Sequence, residues 1–282
     1  MSLQVLRAGP LATIQDLGRP GHGEVGVTPG GAADRAAVIA ANRLVGNEIS
    51  AAGIELLMGG LTVRATSRRL VAVTGAPAEV RVDGRPVAFG AALTMRAGET
   101  LSIGVPQVGL RTYLAVRGGV QAPLLYGSAA SSPAAGLGPA PLAPGDHLSI
   151  GEATNSPQPQ AFQPGRWIGD VEVGVILGPR DDWFTHVAID ILTHSAWSAT
   201  GELDRVGIRL TGPTLQRARF DELLSEGMVR GAIQVPPNGQ PLVFLADHPT
   251  TGGYPVIAVV RDSDVDRLAQ VRPGDRVRFR TS

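Results

Sequence analysis

Short apolar runs recur along the chain, set apart by turns rich in glycine and proline. Runs of this length, bounded by turn residues and rich in β-branched side chains, read as strands. The pattern predicts strands over 70–74, 79–82, 101–105, 112–116, 171–177, 207–210, 242–246 and 256–260. Helical periodicity is confined to three segments. The first, 33–45, is alanine-rich, carries Asp34 in its first turn and stops at Gly46. The second, 182–195, is amphipathic, with Trp183, Phe184, Val187, Ala188 and Ile191 as its apolar stripe. The third, 263–270, is short, with Ser263 as its cap and Pro273 beyond it.

One pattern occurs three times: "RAGETLSI" from Arg96, "APGDHLSI" from Ala143 and "RPGDRVRF" from Arg272. Each is a glycine–acid turn followed by an alternating strand, and each is expected to close a sheet. Their uneven spacing excludes a solenoid. The stretch "GEATNSPQPQAFQPG", 151–165, is polar and rich in proline and glutamine, the composition of a linker. The prediction is a mostly β protein with few helices, in two β-rich subdomains of related plan. Their limits are 1–151 and 166–282, with a linker over 152–165.

Composition changes this picture mainly through what it removes. The 25 basic and 25 acidic residues cancel, so nothing points to nucleic acid or an anionic membrane as partner. No apolar run approaches the ~18 residues of a membrane span, and Met1–Gln4 shows no basic-then-apolar leader. A cytoplasmic location is the simplest expectation. The absence of cysteine excludes disulfides, thiolate nucleophiles and cysteine-ligated zinc. All the basic residues are arginine. A chain without lysine forms no Schiff base, carries no covalent biotin, and has neither a phosphate-loop lysine nor a Ser–Lys amidase centre.

Among the polar clusters, "GHGEVG" has the G-x-G-x-x-G spacing at Gly21, Gly23 and Gly26, but Pro20 precedes it and Pro29 follows. A turn-rich loop fits better than a dinucleotide fingerprint. His186, Asp190 and His194 fall on one side of a helix, a spacing that can bind metal; a solvated flank of an amphipathic helix accounts for them more simply. No serine stands in a G-x-S-x-G elbow. Two clusters are more informative. Between the strands at 242–246 and 256–260 lie Asp247 and the run Thr250-Thr251-Gly252-Gly253-Tyr254. The run offers hydroxyls and a backbone that a ligand can approach closely, although a tight strand connection would use the same residues. Near the N-terminus, Asp16, Arg19, Asp34, Arg35 and Asn42 surround a glycine-rich loop that leads into a helix. A helix N-terminus attracts anions; equally, Asp34 could simply offset the helix dipole.

Over nearly its whole length the sequence resembles the family called allophanate hydrolase subunit 2, or the carboxyltransferase A/B domain family. The resemblance is carried, in order, by "TIQDLGRPG", "AANRLVGN", "YLAVRGGV", "GPRDDWF", "DRVGIRLTGP", "GAIQVPPNGQP" and "TTGGYP". It implies cyclophilin-like barrels. It also implies a place in a 5-oxoprolinase-type complex with a companion subunit of the PxpB or KipI type, and a third of the PxpA type. The reaction implied is ATP-dependent opening of the 5-oxoproline lactam to glutamate, with ATP bound at the level of the complex. Alternatives within the family are a carboxyltransferase served by a separate biotin carrier, and a regulator that binds a kinase inhibitor. On the lactam reading this chain binds and polarises substrate through Gln234, Arg205, Asp247, Thr250, Thr251, Gly252, Gly253 and Tyr254, joined by Asp16, Arg19, Asp34 and Asn42. No catalytic acid or base carries over. Relatives often have a serine before the Gly-Ala pair that here follows Gly30, an arginine within the loop that here reads Ser128-Ala129-Ala130-Ser131, and glutamine at Pro249. These departures leave room for a different substrate.

Overall fold

The computed structural model describes residues 2–153, 155–158, 162 and 170–281. The expected linker and the boundary at 166 fall in large part outside the described residues. The chain divides into two compact units, one of residues 1–19 with 30–166, the other of 20–29 with 167–282.

In the first unit the strands form two sheets. One runs His147–Ser149, Ser2–Arg7, Thr62–Ala65, Thr100–Ile103, Val80–Val82, Arg85–Val87; the other runs Leu11–Gln15, Gly53–Leu57, Arg111–Val116, Arg69–Gly75, Ala92–Met95. Ser2–Arg7 alternates, with Leu3 and Val5 fully buried, as expected of a strand with one face on the core. Arg111–Val116 is buried at every residue. Helix α1, Arg35–Val45, covers one face through Ala41, Leu44 and Val45 against Ala72 and Ala115, and through Ala37 and Val38 against Tyr113. Leu114 and Val116 on the other face join Ile54, Val71 and Val73. A strand covered on both sides reads as a continuous apolar run. Asp34 lies just outside α1 rather than in its first turn: it is the N-cap, and its Oδ1 accepts the Ala37 N–H at 2.9 Å.

In the second unit seven strands close into a barrel, in the order Asp170–Leu177, Val256–Val260, Ala232–Gln234, Leu242–Phe244, Gly207–Thr211, Ala196–Leu203, Arg276–Thr281. Parallel pairing of Asp170–Leu177 with Arg276–Thr281 completes the ring, around a core that includes Val173, Trp197, Leu210, Ile233, Val243, Ile257 and Phe279. The mostly β expectation holds; closure into a ring is seen in this unit, whereas the first unit keeps two sheets.

The second predicted helix is interrupted. A 3-10 turn, Asp181–Trp183, gives way to extended backbone at Phe184, and Thr185 then caps helix α2, His186–His194. The break changes the buried side. Ala188 and Leu192 face the core, while Val187, expected in the apolar stripe, is 64% exposed. Helix α3, Asp262–Leu268, starts after Arg261 without any side-chain cap, so Ser263 does not serve as one. Asp262 and Asp264 in its first turn suit the dipole instead.

The three recurring turns share one geometry. The acid at the fourth position accepts the backbone N–H of the first: Arg96 N–H to Glu99 at 2.6 Å, Ala143 N–H to Asp146 at 2.8 Å, Arg272 N–H to Asp275 at 2.9 Å. The glycine at the third position has φ of 88°, 97° and 89°, the left-handed conformation that a type II turn requires. The following strands differ in place. Arg276–Thr281 closes the barrel and His147–Ser149 is a sheet edge, but Thr100–Ile103 lies inside its sheet and closes nothing.

Candidate functional site

In the second unit the Thr250–Tyr254 run forms a small ribbon. Thr251–Gly252 pairs antiparallel with Glu226–Gly227, and the Met228 N–H donates to the Thr250 carbonyl at 2.9 Å. Gln234, buried on the barrel strand Ala232–Gln234, donates from Nε2 to the Tyr254 carbonyl at 3.0 Å. A Cβ at Gly252 would collide with that nitrogen. Gly252 is thus required by the protein's own glutamine, and Gln234 positions the ribbon. Gly253 is different: a Cβ there meets nothing within 4 Å, and its φ is not left-handed. The ribbon therefore presents the exposed Thr251 hydroxyl, the open backbone of Gly253 and the half-exposed Tyr254 ring.

Two arginines flank it. Arg180 pairs with Glu226, Nε to carboxylate 2.9 Å, and so ties down the partner strand. Arg217 donates from Nη2 to the Val235 carbonyl at 2.6 Å. Burial lowers its guanidinium below the ordinary arginine value, against the pull of Tyr254. Glu226, Met228, Arg180 and Arg217 were not singled out from sequence. The paired strands here are two residues long, too short for any periodic signal.

Asp247 and Arg205 are brought together, but to each other. Arg205 Nε and Nη2 donate to the two Asp247 oxygens at 3.0 and 2.9 Å, with the side chains only 9% and 3% exposed. The Asp247 N–H also donates to the Arg205 carbonyl at 2.9 Å. This is a buried bidentate pair joining the turns beside two adjacent barrel strands, Gly207–Thr211 and Leu242–Phe244. The pair ties the fold together at this point, and the expected ligand role of the two residues would have to be met by capacity beyond it.

The first unit spends its predicted polar residues in the same way. Asp16 accepts the Gly18 N–H at 2.7 Å, the Ser128 hydroxyl at 2.6 Å and the Ala129 N–H at 2.7 Å. Arg19, 1% exposed, donates to the Leu125 carbonyl at 3.2 Å and to the Ala130 carbonyl. Together they pin the 125–130 loop. Asn42, fully buried, donates to the Ile49 and Ala51 carbonyls and accepts from Asn47. The Asp34 N–H donates to the Tyr113 hydroxyl at 2.8 Å, and that hydroxyl donates to Glu55 at 2.8 Å, with Arg111 beside it at 3.6 Å. Burial, then the neighbouring Glu55 and Asp34 charges, pushes Tyr113 well above its ordinary value. Asp34 and Asn42 thus hold the helix and the loops around it, and Asp16 borders open space. It lines a cleft of about 330 Å³ with Gly18, Ser50, Gln121, Leu124 and Ala129. His186, Asp190 and His194 are all exposed on α2, and no metal-sized cluster of acidic and histidine side chains occurs among the described residues.

Residues 25–281 match the family model for the carboxyltransferase domain, subdomain A and B. The chain is 38% identical to the C component of 5-oxoprolinase from Escherichia coli, over 98% of this chain and 90% of that one. It is 33% identical to the Haemophilus influenzae protein of the same name, over the same shares. Among solved structures, the K. lactis urea amidolyase superimposes with a TM-score of 0.91 at 27% identity, over 99% of this chain but only 18% of that enzyme. TTHA0988 gives 0.90 at 31% identity, over 99% of this chain and 55% of its own.

Proposed function

The chain belongs to the family of carboxyltransferase domains of subdomains A and B, and from that premise we propose that it is the C component of a 5-oxoprolinase-type complex. The observation that carries this is the match to two proteins of that name over nearly the full length of both. The complex hydrolyses the 5-oxoproline lactam to glutamate with ATP. Within it, this chain acts with companion subunits and is inactive alone, because no triad or phosphate-loop lysine is encoded in it.

Its contribution is to hold the lactam. The Thr251 hydroxyl and the open backbone at Gly253 are hydrogen-bonding groups of the ribbon that the fold leaves accessible. A cyclic amide has one acceptor and one donor, which such a surface can meet together. Tyr254 supplies a half-exposed aromatic face for the ring. The ribbon has no lysine and no glycine-rich phosphate cradle, so the ATP used by the complex is not assigned to it. Fixing the amide while it is activated converts an intermolecular encounter into a positioned one.

A second reading, carboxyl transfer to urea, is favoured by the likeness to urea amidolyase, 29% identical over 99% of this chain in Saccharomyces cerevisiae. One reconstitution separates the two. The chain combined with its companion subunits should release glutamate from 5-oxoproline only when ATP is present, and the chain alone should not. Carboxylation of urea in the presence of a carboxybiotin carrier, without lactam hydrolysis, would reverse the assignment.

A further inference from the structure

The first unit holds a pocket that the ribbon does not involve. It has a volume of about 210 Å³ and is lined by Arg68, Arg69, Leu70, Arg117, Gly151 and Ala153. Arg69 opens the strand Arg69–Gly75, and Arg117 directly follows the neighbouring strand Arg111–Val116, with its N–H on the Leu70 carbonyl at 2.8 Å. Sheet pairing thus places two arginines side by side, and Arg68 extends the group by one.

No carboxylate lines this pocket, and none of the three arginines forms an ion pair among the described residues. Two other arginines with little exposed side chain are paired: Arg205 with Asp247, Arg230 with Asp262 and Asp266. Arg117 is held in place from behind. Its Nη1 donates to the Val45 carbonyl at the end of α1 at 2.7 Å, and its Nη2 to the Asn155 carbonyl at 2.9 Å. Arg69 donates from Nη1 to the Arg68 carbonyl at 3.2 Å, while its Nε and Nη2 are buried with no acceptor. A buried guanidinium edge left without an acceptor is costly, and an oxyanion meeting it makes the strongest class of hydrogen bond available to arginine.

We propose that this pocket binds a phosphate group of a small ligand. A phosphate carries up to two charges and enough oxygens to meet several guanidinium donors, which a single carboxylate does not. The volume, roughly seven times the share of one liquid water, leaves room for a phosphate chain. This site is independent of the lactam reading.

Calorimetric titration tests it, with inorganic phosphate, pyrophosphate and metal-free ATP as separate probes at low ionic strength, and potassium chloride as the ionic control. The expected result is saturable binding of at least one phosphate probe, weakened about tenfold or more by Arg69→Gln and unchanged in Arg81→Gln, which removes a surface arginine paired with Glu79. Should Arg69→Gln fail to fold, the exposed Arg68 takes its place as Arg68→Gln. ATP binding more tightly than pyrophosphate identifies a nucleotide as the source of the phosphate; equal affinities identify the phosphates alone. Failure of all three probes to bind beyond the chloride control, or equal affinity in the Arg69 and Arg68 variants, overturns the proposal.

Discussion

Asp16 and Thr251 stand in comparable sequence settings: a small polar residue beside glycines, at the edge of an apolar strand. The structure treats them oppositely. Asp16 accepts three hydrogen bonds from its own chain and pins the 125–130 loop. Thr251 is exposed on a two-residue strand of the ribbon. The same division separates Arg205 and Asp247, paired with each other under the barrel surface, from Tyr254, which remains half-exposed. A polar residue can recognise a ligand only with hydrogen-bonding capacity that folding has not used, and residue type does not reveal how much is left.

The sharpest way to break this contrast is to remove one member of a spent pair. Arg205→Ala should leave Asp247 as an unpaired buried carboxylate and cost about 3–5 kcal/mol, read by urea denaturation. A cost below about 1 kcal/mol would mean that the pair is dispensable to the fold and available for other work.

The first-unit network should respond nearly as strongly. Tyr113→Phe takes the acceptor from the Asp34 N–H and the donor from Glu55, for a loss of about 1–3 kcal/mol. It should also alter the alkaline limb. The folded value of Tyr113 is raised, so its contribution is complete below the unfolded value of about 10 and declines as pH rises above it, where the unfolded chain ionises first. Denaturation midpoints measured from pH 8 to 11 should fall less steeply in Tyr113→Phe than in the parent.

Within the ribbon, the two adjacent glycines separate a structural role from an open one. Gly252→Ala forces a methyl against Gln234 and should cost about 1–3 kcal/mol. Gly253→Ala enters open space and should change stability by less than about 0.5 kcal/mol. Equal effects in thermal melts would remove the distinction.

The smallest expected effect is the most telling for the site. Thr251→Val keeps the shape of the side chain and should leave the melting temperature almost unchanged. Activity of the reconstituted complex should fall by the equivalent of about 0.5–1.5 kcal/mol, the worth of one hydrogen bond to substrate. A lowered melting temperature with unchanged kcat and KM would make the ribbon a strand connection and nothing more.

What the sequence determined by itself was local. The strands expected from the pattern, the three glycine–acid turns and the stop of α1 at Gly46 followed from side-chain periodicity and backbone preference, which act over a few residues. The absence of lysine and cysteine set chemical limits that no fold could lift. The matched motifs, each a run of neighbouring residues, carried the family. Tertiary structure alone decided which polar groups remained available. Gln234 reaches the Tyr254 carbonyl 20 positions away, Asp16 meets Ser128 across 112, and Arg69 stands beside Arg117 through sheet pairing. Hydrogen-bond capacity is used up by partners distant in sequence, and only the folded chain brings those partners within about 3 Å.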